Sequence, residues 1–333
     1  MTEARYDVLA IGNAIVDVIA ETNDEFIELE QLTKGGMQLI DAQRAEQLYA
    51  AMGPAREISG GSAANTLSGL SMLGRQCAFI GQVADDQLGQ VFAHDIRATG
   101  IDFDVPAREN DVPTARCLIL VTPDAQRTMN TFLGASQFLA ANLIQKELIE
   151  SAAILYLEGY LWDPAEPRAA MRAAIGHAKA AGRKVAFTLS DAFVIDRHRD
   201  DFLALIAEGM IDILFANETE ICSLNQNDDF EAAVALTAAS VPLLVVTQGE
   251  KGAIAVQAGR RFAVNAEPVT RLVDTTGAGD LFAAGFLSGF AEGREIGACL
   301  TMGAICAAEV ISHYGARPEA DIKAMVAARF AEV

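Results

Sequence analysis

SAANTLSGLSMLGRQCAFIGQVADDQLGQVFAHDIRATG, residues 62–100, holds one full cycle of the pattern that decides the fold. Ser62–Leu73 reads as a helix closed by Gly74. CAFIGQV (77–83) is a short aliphatic strand, and Asp86–Ala98 is a second helix closed by Gly100. Leu88, Val91, Phe92 and Ile96 fall on one stripe of that second helix, and glycine after the last turn is the usual stop. Runs of the same kind recur as YDVLAIG (6–12), AILYLEG (153–159), KVAFTLS (184–190), DILFAN (212–217) and PLLVVTQG (242–249). Strands this continuously apolar need cover on both faces, as in a parallel sheet. Strand and helix in alternation then predict an α/β fold with right-handed crossovers: a Rossmann-like, doubly wound, mainly parallel sheet with helices on both faces.

Composition bounds the function. The chain has 333 residues, 51% of them hydrophobic and 21% charged, enough for a large core and too apolar for disorder. A net charge of −20 argues against nucleic acid or an anionic membrane as the main partner. It leaves room for an anionic ligand in a local nest of backbone N–H groups. Cysteines 77, 117, 222, 299 and 306 are odd in number and form no Cys-x-x-Cys pair. They read as reduced thiols, with Cys299 and Cys306 packing on a helix. The N-terminal MTEARYDVLAIG lacks signal-peptide character. The longest uncharged stretch, Ala232 to Gly249, contains Pro242 and reads as a helix end followed by a strand. A soluble, cytoplasmic protein is expected.

Nearly every strand ends in glycine or polar residues: Gly12-Asn13, Gly81, Glu158-Gly159, Ser190-Asp191, Asn217 and Thr247-Gln248-Gly249. Singly these are turn residues. Together they outline one rim at the carboxyl ends of the strands, where open α/β sheets bind ligands. Two segments break the alternation. Residues 14–41 and 101–135 hold short extended runs (GMQLID, ARCLILVT, RTMNTFLG), and residues 122–127 look like a hairpin connection. ARCLILVT is apolar on both faces. These segments are expected to form a small β-sheet lid over a large domain of residues 1–13, 42–100 and 136–333. An apolar outer lid face would suit a homodimer.

The strongest local signal is Asp274-Thr-Thr-Gly-Ala-Gly-Asp280, followed by the apolar LFAAGFL. Gly277 and Gly279 permit a tight turn, and a helix begins beyond them. Successive N–H groups at that helix start, with the helix dipole, make an anion hole. Asp280 at its edge is placed to meet a hydroxyl beside a bound phosphate. An N-cap aspartate after a glycine turn is the plainer reading of Gly-x-Gly-Asp. The full seven-residue string is more specific than that.

This string resembles the C-terminal signature of the ribokinase-like (PfkB) family of carbohydrate and nucleoside kinases. Gly60-Gly-Ser-Ala-Ala-Asn65 with Gly81-x-x-x-x-Asp86-x-x-Gly89 is similar to its N-terminal signature. Asn217-Glu-Thr-Glu220 matches its Asn-x-x-Glu element, and Thr247-x-Gly249-x-x-Gly252 its nucleotide loop. The resemblance covers essentially the whole chain. It implies a Rossmann-like domain with a β lid, with ATP and Mg²⁺ as cofactors. It implies Asp280 as catalytic base and the N–H groups of Gly277, Ala278 and Gly279 as stabilisers of the transferring phosphoryl group. Asn217 and Glu220 would position hydrated Mg²⁺, although the same pair reads as a helix capping box. Asp17 would hold substrate hydroxyls with help from Gly61 and Asn65. Arg127 aligns with an arginine that reaches phosphates in adenosine kinases, and reads equally as a surface arginine on a hairpin. A monovalent cation such as K⁺ at Asp274 and Thr276 is implied by the family only.

GNAIVDV, the Ser190-Asp191 pair and the chain length are more similar to adenosine kinases than to ribokinases. Adenosine is therefore the expected acceptor, phosphorylated at its primary 5′ hydroxyl to AMP in purine salvage. A ribokinase- or fructokinase-type sugar kinase is the alternative. Phe132, Leu133, Met37 and Phe193 are candidates to contact the base, and each is equally plausible as core. A nicotinamide dehydrogenase would show Gly-x-Gly-x-x-Gly at the first turn, which here reads Gly12-Asn-Ala-Ile-Val-Asp17. No Walker string occurs. A non-catalytic nucleoside-binding protein on the same fold would have lost the base or the anion hole, and Asp280, Gly277 and Gly279 are all present.

Overall fold

The computed structural model describes residues 4–109, 112–124 and 126–331. Ala125 of the expected hairpin connection and the first three residues lie outside them. The strands are β1 (Tyr6–Ile11), β2 (Ile15–Glu21), β3 (Met37–Leu39), β4 (Ala55–Gly60), β5 (Cys77–Ile80), β6 (Ile101–Asp102) and β7 (Ala115–Val121). They continue with β8 (Arg127–Phe132), β9 (Ala152–Glu158), β10 (Lys184–Thr188), β11 (Ile213–Asn217), β12 (Leu243–Thr247), β13 (Ala253–Gln257) and β14 (Arg260–Val264). The helices are α1 (Asp24–Leu29), α2 (Ala42–Ala51), α3 (Ser62–Met72), α4 (Gln87–Ala98), α5 (Lys146–Glu150) and α6 (Ala165–Ala180). After them come α7 (Ala192–Ala207), α8 (Glu218–Asn225), α9 (Phe230–Ala238), α10 (Ala278–Ala291), α11 (Ile296–Val310) and α12 (Ile322–Ala331).

The main sheet has the order β14-β13-β12-β11-β10-β9-β1-β5-β6. It is parallel from β12 through β6, with β13 and β14 as an antiparallel edge. Strand β1 shows why both faces are covered. Val8 and Ala10 join one core with α3, α10 and α11, while Leu9 and Ile11 join a second core with α6 and α7. The chain leaves β1 toward β5 and β6, then returns to β9 on the other side of β1. That reversal opens a crevice at the carboxyl ends of β1 and β9, where α/β sheets take their ligands. The α/β expectation and its rim both hold.

The second sheet, β3-β8-β7-β2-β4, is the lid. Its membership departs from the sequence boundaries in two places. Strand β4 runs antiparallel to β2, pairing Asp17 with Ile58 and Ile15 with Gly60, although it falls in the 42–100 segment assigned to the large domain. Its AREISG pattern is too polar to announce a strand, and only long-range pairing with β2 makes it one. Conversely, β6 falls in the 101–135 segment yet pairs with β5 in the main sheet.

The outer lid face is not free. Val16, Val18, Leu118 and Leu120 are buried in one cluster with Ile27 of α1 and Leu48 of α2. The apolar surface that suggested a homodimer is therefore spent on the chain's own helices. The five cysteines are free thiols, and Cys299 and Cys306 are buried on α11. Among the described residues no helix is long and apolar enough to cross a membrane.

Candidate active site

A cavity of about 760 Å³ lies between the rim of the main sheet and the inner face of the lid. Asp17, Gly61, Asn65, Asn217, Glu220, Thr247, Thr276, Gly277, Gly279 and Asp280 all line it. The sequence candidates that border it thus come from both domains.

Asp280 is the third residue of α10, whose N-cap is Gly277. The plainer reading of Asp280 as the N-cap itself is set aside. Gly277 has φ +78°, and a Cβ there would sit 2.7 Å from that of Ala316, so only glycine turns the chain into this helix. The carboxylate of Asp280 accepts from Ser62 Oγ at 2.6 Å and from Asn65 Nδ2 at 3.2 Å. Both donors stand on the first turn of α3. The two helices come this close because Gly69 carries no side chain: a Cβ there would lie 2.6 Å from Leu281 Cδ1 and 2.8 Å from Ala284 Cβ. Burial pushes the Asp280 carboxyl up to about 6, against the pull of the Ser62 and Asn65 hydrogen bonds. A half-buried carboxylate that ionises near neutrality is suited to accepting a proton.

The anion hole is partly made. The N–H of Ala278 donates to Thr275 O at 3.2 Å, while those of Gly277 and Gly279 have no partner among the described residues. Free donors at a helix start next to a carboxylate suit a phosphoryl group.

On the opposite wall Asp17 lies inside β2, not in a turn after β1 as the sequence suggested. Alternation along IVDVIAE sends Ile15 and Asp17 to the cavity and buries Val16 and Val18. Burial raises the Asp17 carboxyl to about 6, with Arg127 and Arg317 opposing the rise. The Oδ1 of Asn65 is buried without a hydrogen-bond partner, an acceptor left for a ligand. Gly61 has φ +95°, and a Cβ there would strike the carbonyl oxygen of Asn13.

Sequence reasoning missed Glu158. It is wholly buried at the end of β9 and accepts from Asn13 N at 2.6 Å, Asn13 Nδ2 at 2.7 Å and Ala63 N at 2.7 Å. Asn13 in turn accepts from Ser136 Oγ at 2.8 Å. Burial pushes Glu158 up to about 7 despite these donors. Glu158 fixes the start of α3, which presents Ser62 and Asn65 to Asp280. A glutamate closing an otherwise apolar strand was the available signal.

At the far end, Asn217 and Glu220 form a complete capping box on α8. Glu220 Oε2 accepts from Asn217 N at 3.0 Å and Oε1 from Asn217 Nδ2 at 2.6 Å. The carboxyl still lines the cavity, and burial followed by the charge of Asp191 raises it to about 7. With both Glu220 oxygens and Asn217 Oδ1 engaged by the capping box, this corner would hold Mg²⁺ only through the ion's own waters, of which it keeps several. Thr247 lines the cavity from the end of β12. Gly249 and Gly252 flank a single 3-10 turn between β12 and β13 and do not reach it.

Asp274 and Thr276 do not fit a monovalent cation. Asp274 Oδ1 accepts from Thr276 N at 3.0 Å, and Oδ2 accepts from Gly315 N at 3.0 Å and from Arg127 Nη1. Arg127 itself, expected at the substrate or on the surface, is buried against Asp274 and does not line the cavity. Asp86 of the N-terminal signature is structural, its carboxylate accepting from Gly89 N and Thr114 N. Among the base-contact candidates, Met37, Leu133 and Phe193 line the cavity. Phe193 is 72% exposed there, and Phe132 turns away toward Arg116. Cys117, Ile119 and Met129 complete the lid's inner face. Their every-second-residue spacing on β7 and β8 was the signal for them.

A polar wall, a carboxylate able to take a proton and an unfilled helix start, all under a lid, suit phosphoryl transfer to an alcohol. The chain belongs to the pfkB family of carbohydrate kinases, whose model matches residues 8–323. It is an ATP-dependent kinase of the nucleoside and sugar kinase kind. It is 47% identical to the solved adenosine kinase of Sinorhizobium meliloti, covering 98% of this chain and 100% of that one at a TM-score of 0.90. It is 46% identical to a probable sugar kinase protein from Rhizobium etli CFN 42, covering 99% of each at a TM-score of 0.91. A curated relative, the adenosine kinase of Saccharomyces cerevisiae, is 26% identical across 92% of this chain and 95% of its own.

Proposed function

We propose that the protein transfers the γ-phosphoryl group of ATP to the 5′ hydroxyl of a nucleoside, adenosine before others. The observation that carries this reading is the inner lid face. Met37, Cys117, Ile119, Met129 and Leu133 form an apolar ceiling, with Asp17 beside Cys117 on the same lid face as its polar edge. A flat purine gains from such a surface, whereas a free sugar has little apolar area to lay against it. The Sinorhizobium and yeast relatives bearing the adenosine kinase name support the same choice.

In this reading Asp17 and the unpaired Oδ1 of Asn65 hold ribose hydroxyls, and Gly61 keeps the wall open. Asp280 takes the 5′ proton as the new O–P bond forms and the bond from the γ-phosphorus to the β–γ bridging oxygen breaks, leaving ADP. With its reference value near 3.9 lifted by burial, that carboxyl receives the proton late in the transfer. The N–H groups of Gly277, Ala278 and Gly279 receive the equatorial oxygens, which requires Ala278 to give up its bond to Thr275. Thr247 borders the nucleotide, and the Gly249–Gly252 turn beyond the cavity would meet only a part of it that extends past the rim. Mg²⁺, when bound with ATP, supplies charge neutralisation at the phosphates, and Glu220 and Asn217 would hold its waters.

A sugar acceptor is the second reading, favoured by the 46% identity to the Rhizobium protein described as a probable sugar kinase. An ADP-release screen against adenosine, other nucleosides, ribose and fructose separates the two. Adenosine should give the highest kcat/KM by about tenfold or more, the effect of roughly 1.4 kcal/mol of added transition-state binding. Ribose or fructose outrunning adenosine would transfer the assignment to a sugar.

A further inference from the structure

Asp274 opens the glycine-rich string whose turn forms the anion hole, and its carboxylate is buried. Three elements converge on it. The lid sends Arg127 from β8, the loop after α11 sends the Gly315 N–H, and the turn itself sends the Thr276 N–H. A cation site at Asp274 and Thr276 needs oxygen lone pairs converging on one empty point. Here each carboxylate oxygen faces an N–H donor, and a full positive charge already stands against Oδ2. Neither partner sees much water, since side-chain exposure is 9% for Arg127 and 5% for Asp274.

We infer that Arg127 is the built-in cation of this kinase, a positioning residue that neutralises Asp274 and holds the anion-hole turn where a bound monovalent ion would otherwise be needed. The guanidinium does in a fixed position what an exchangeable ion does in solution equilibrium. It is also continuous with β8, so the turn and the lid are held by one ion pair. A buried carboxylate deprived of that charge would be left with two backbone donors only, and the turn carrying Gly277 and Gly279 would lose its third tether. A monovalent ion could then enter the vacated place.

The test is a salt series in K⁺, Na⁺ or choline chloride at a constant ionic strength of about 0.15 M, near the physiological value. Wild-type protein and Arg127→Met, which keeps a long apolar stem without the charge, are compared for turnover and for melting temperature. Wild type should vary less than about twofold in kcat and show no melting shift specific to K⁺. Arg127→Met should turn over more slowly in choline and recover about fivefold or more in K⁺, with a rise in melting temperature. A wild type activated about fivefold by K⁺ over choline overturns the inference, as does an Arg127→Met variant indifferent to the cation. If Arg127→Met does not fold, the wild-type series decides by itself. The melting arm needs no acceptor, so it stands apart from the choice between nucleoside and sugar.

Discussion

Ser62 donates its hydroxyl to Oδ1 of Asp280 across 2.6 Å, joining the first turns of α3 and α10, which lie 218 residues apart in the chain. The bond does two things. It aims the carboxylate at the cavity, and it stabilises the ionised form against the burial that raises its pKa. A hydroxyl in contact with the base is also the geometry an acceptor must adopt, so the position beside Ser62 marks where the substrate's oxygen belongs.

The pH profile follows from this contact. Asp280 must be ionised to accept a proton, and burial lifts it to about 6. Asp17 also lies near 6, for burial again. Wild-type kcat/KM should therefore fall as pH drops through 7, where Glu220 takes up a proton, and more steeply through 6, where Asp280 and Asp17 follow. Removing the Ser62 donor raises the Asp280 carboxyl further. Ser62→Ala should shift the acid limb to higher pH, measured in the same buffers. A limb that stays in place or moves down would show that Ser62 does not act on Asp280.

Gly69 sets the distance between the two helices. Gly69→Val would press a branched side chain into Leu281 and Ala284, at the ~1–3 kcal/mol typical of overpacking. The expected result is a lower melting temperature together with a lower kcat, because Ser62 and Asn65 move off Asp280. The variant's KM for ATP should change little, since Thr247 and Glu220 lie elsewhere. Unchanged kcat at reduced stability would break the link between helix spacing and the base.

Glu158 holds three N–H donors in a fully buried place. Glu158→Ala orphans them, and at about 1–3 kcal/mol each the loss is large. The folded-state pKa is raised from 4.5 to about 7, so the stability Glu158 contributes is complete below 4.5 and shrinks as pH rises through 7. The gap in melting temperature between wild type and Glu158→Ala should be wider at pH 5 than at pH 8. A gap that widens with rising pH would contradict the raised value.

How much of this was legible in the sequence depends on the range of each interaction. The alternation of β5, β9, β10, β11 and β12 with helices is local, and it gave the sheet and its rim. The Asp274–Asp280 string and the Asn217–Glu220 box are local too; Thr275, Thr276, Gly277, Gly279 and Asp280 of the string line the cavity, as do Asn217 and Glu220. The polar β4 became a strand only through β2, and Asp17 sits within a strand because Val16 and Val18 find a core beneath α1 and α2. Arg127 could not be placed by reading its neighbourhood, because its partner Asp274 is 147 residues away. Phe132, read equally as a base contact and as core, is core. Without the register of β8, a one-residue error exchanges the cavity face for the outer face.

The central claim is that Asp280 receives the acceptor's proton, and Asp280→Asn tests it most directly. The amide keeps the shape and cannot take a proton. Because ionised Asp280 pays for its burial at pH 7, the variant should melt higher than wild type, by on the order of 1 kcal/mol of stability for a carboxyl bordering an open cavity. It should bind ATP as wild type does, and its kcat with adenosine should fall by at least about 10²-fold, the low end for removing a general base. Turnover within about tenfold of wild type, in a folded variant that binds ATP, would remove Asp280 from the centre of the mechanism.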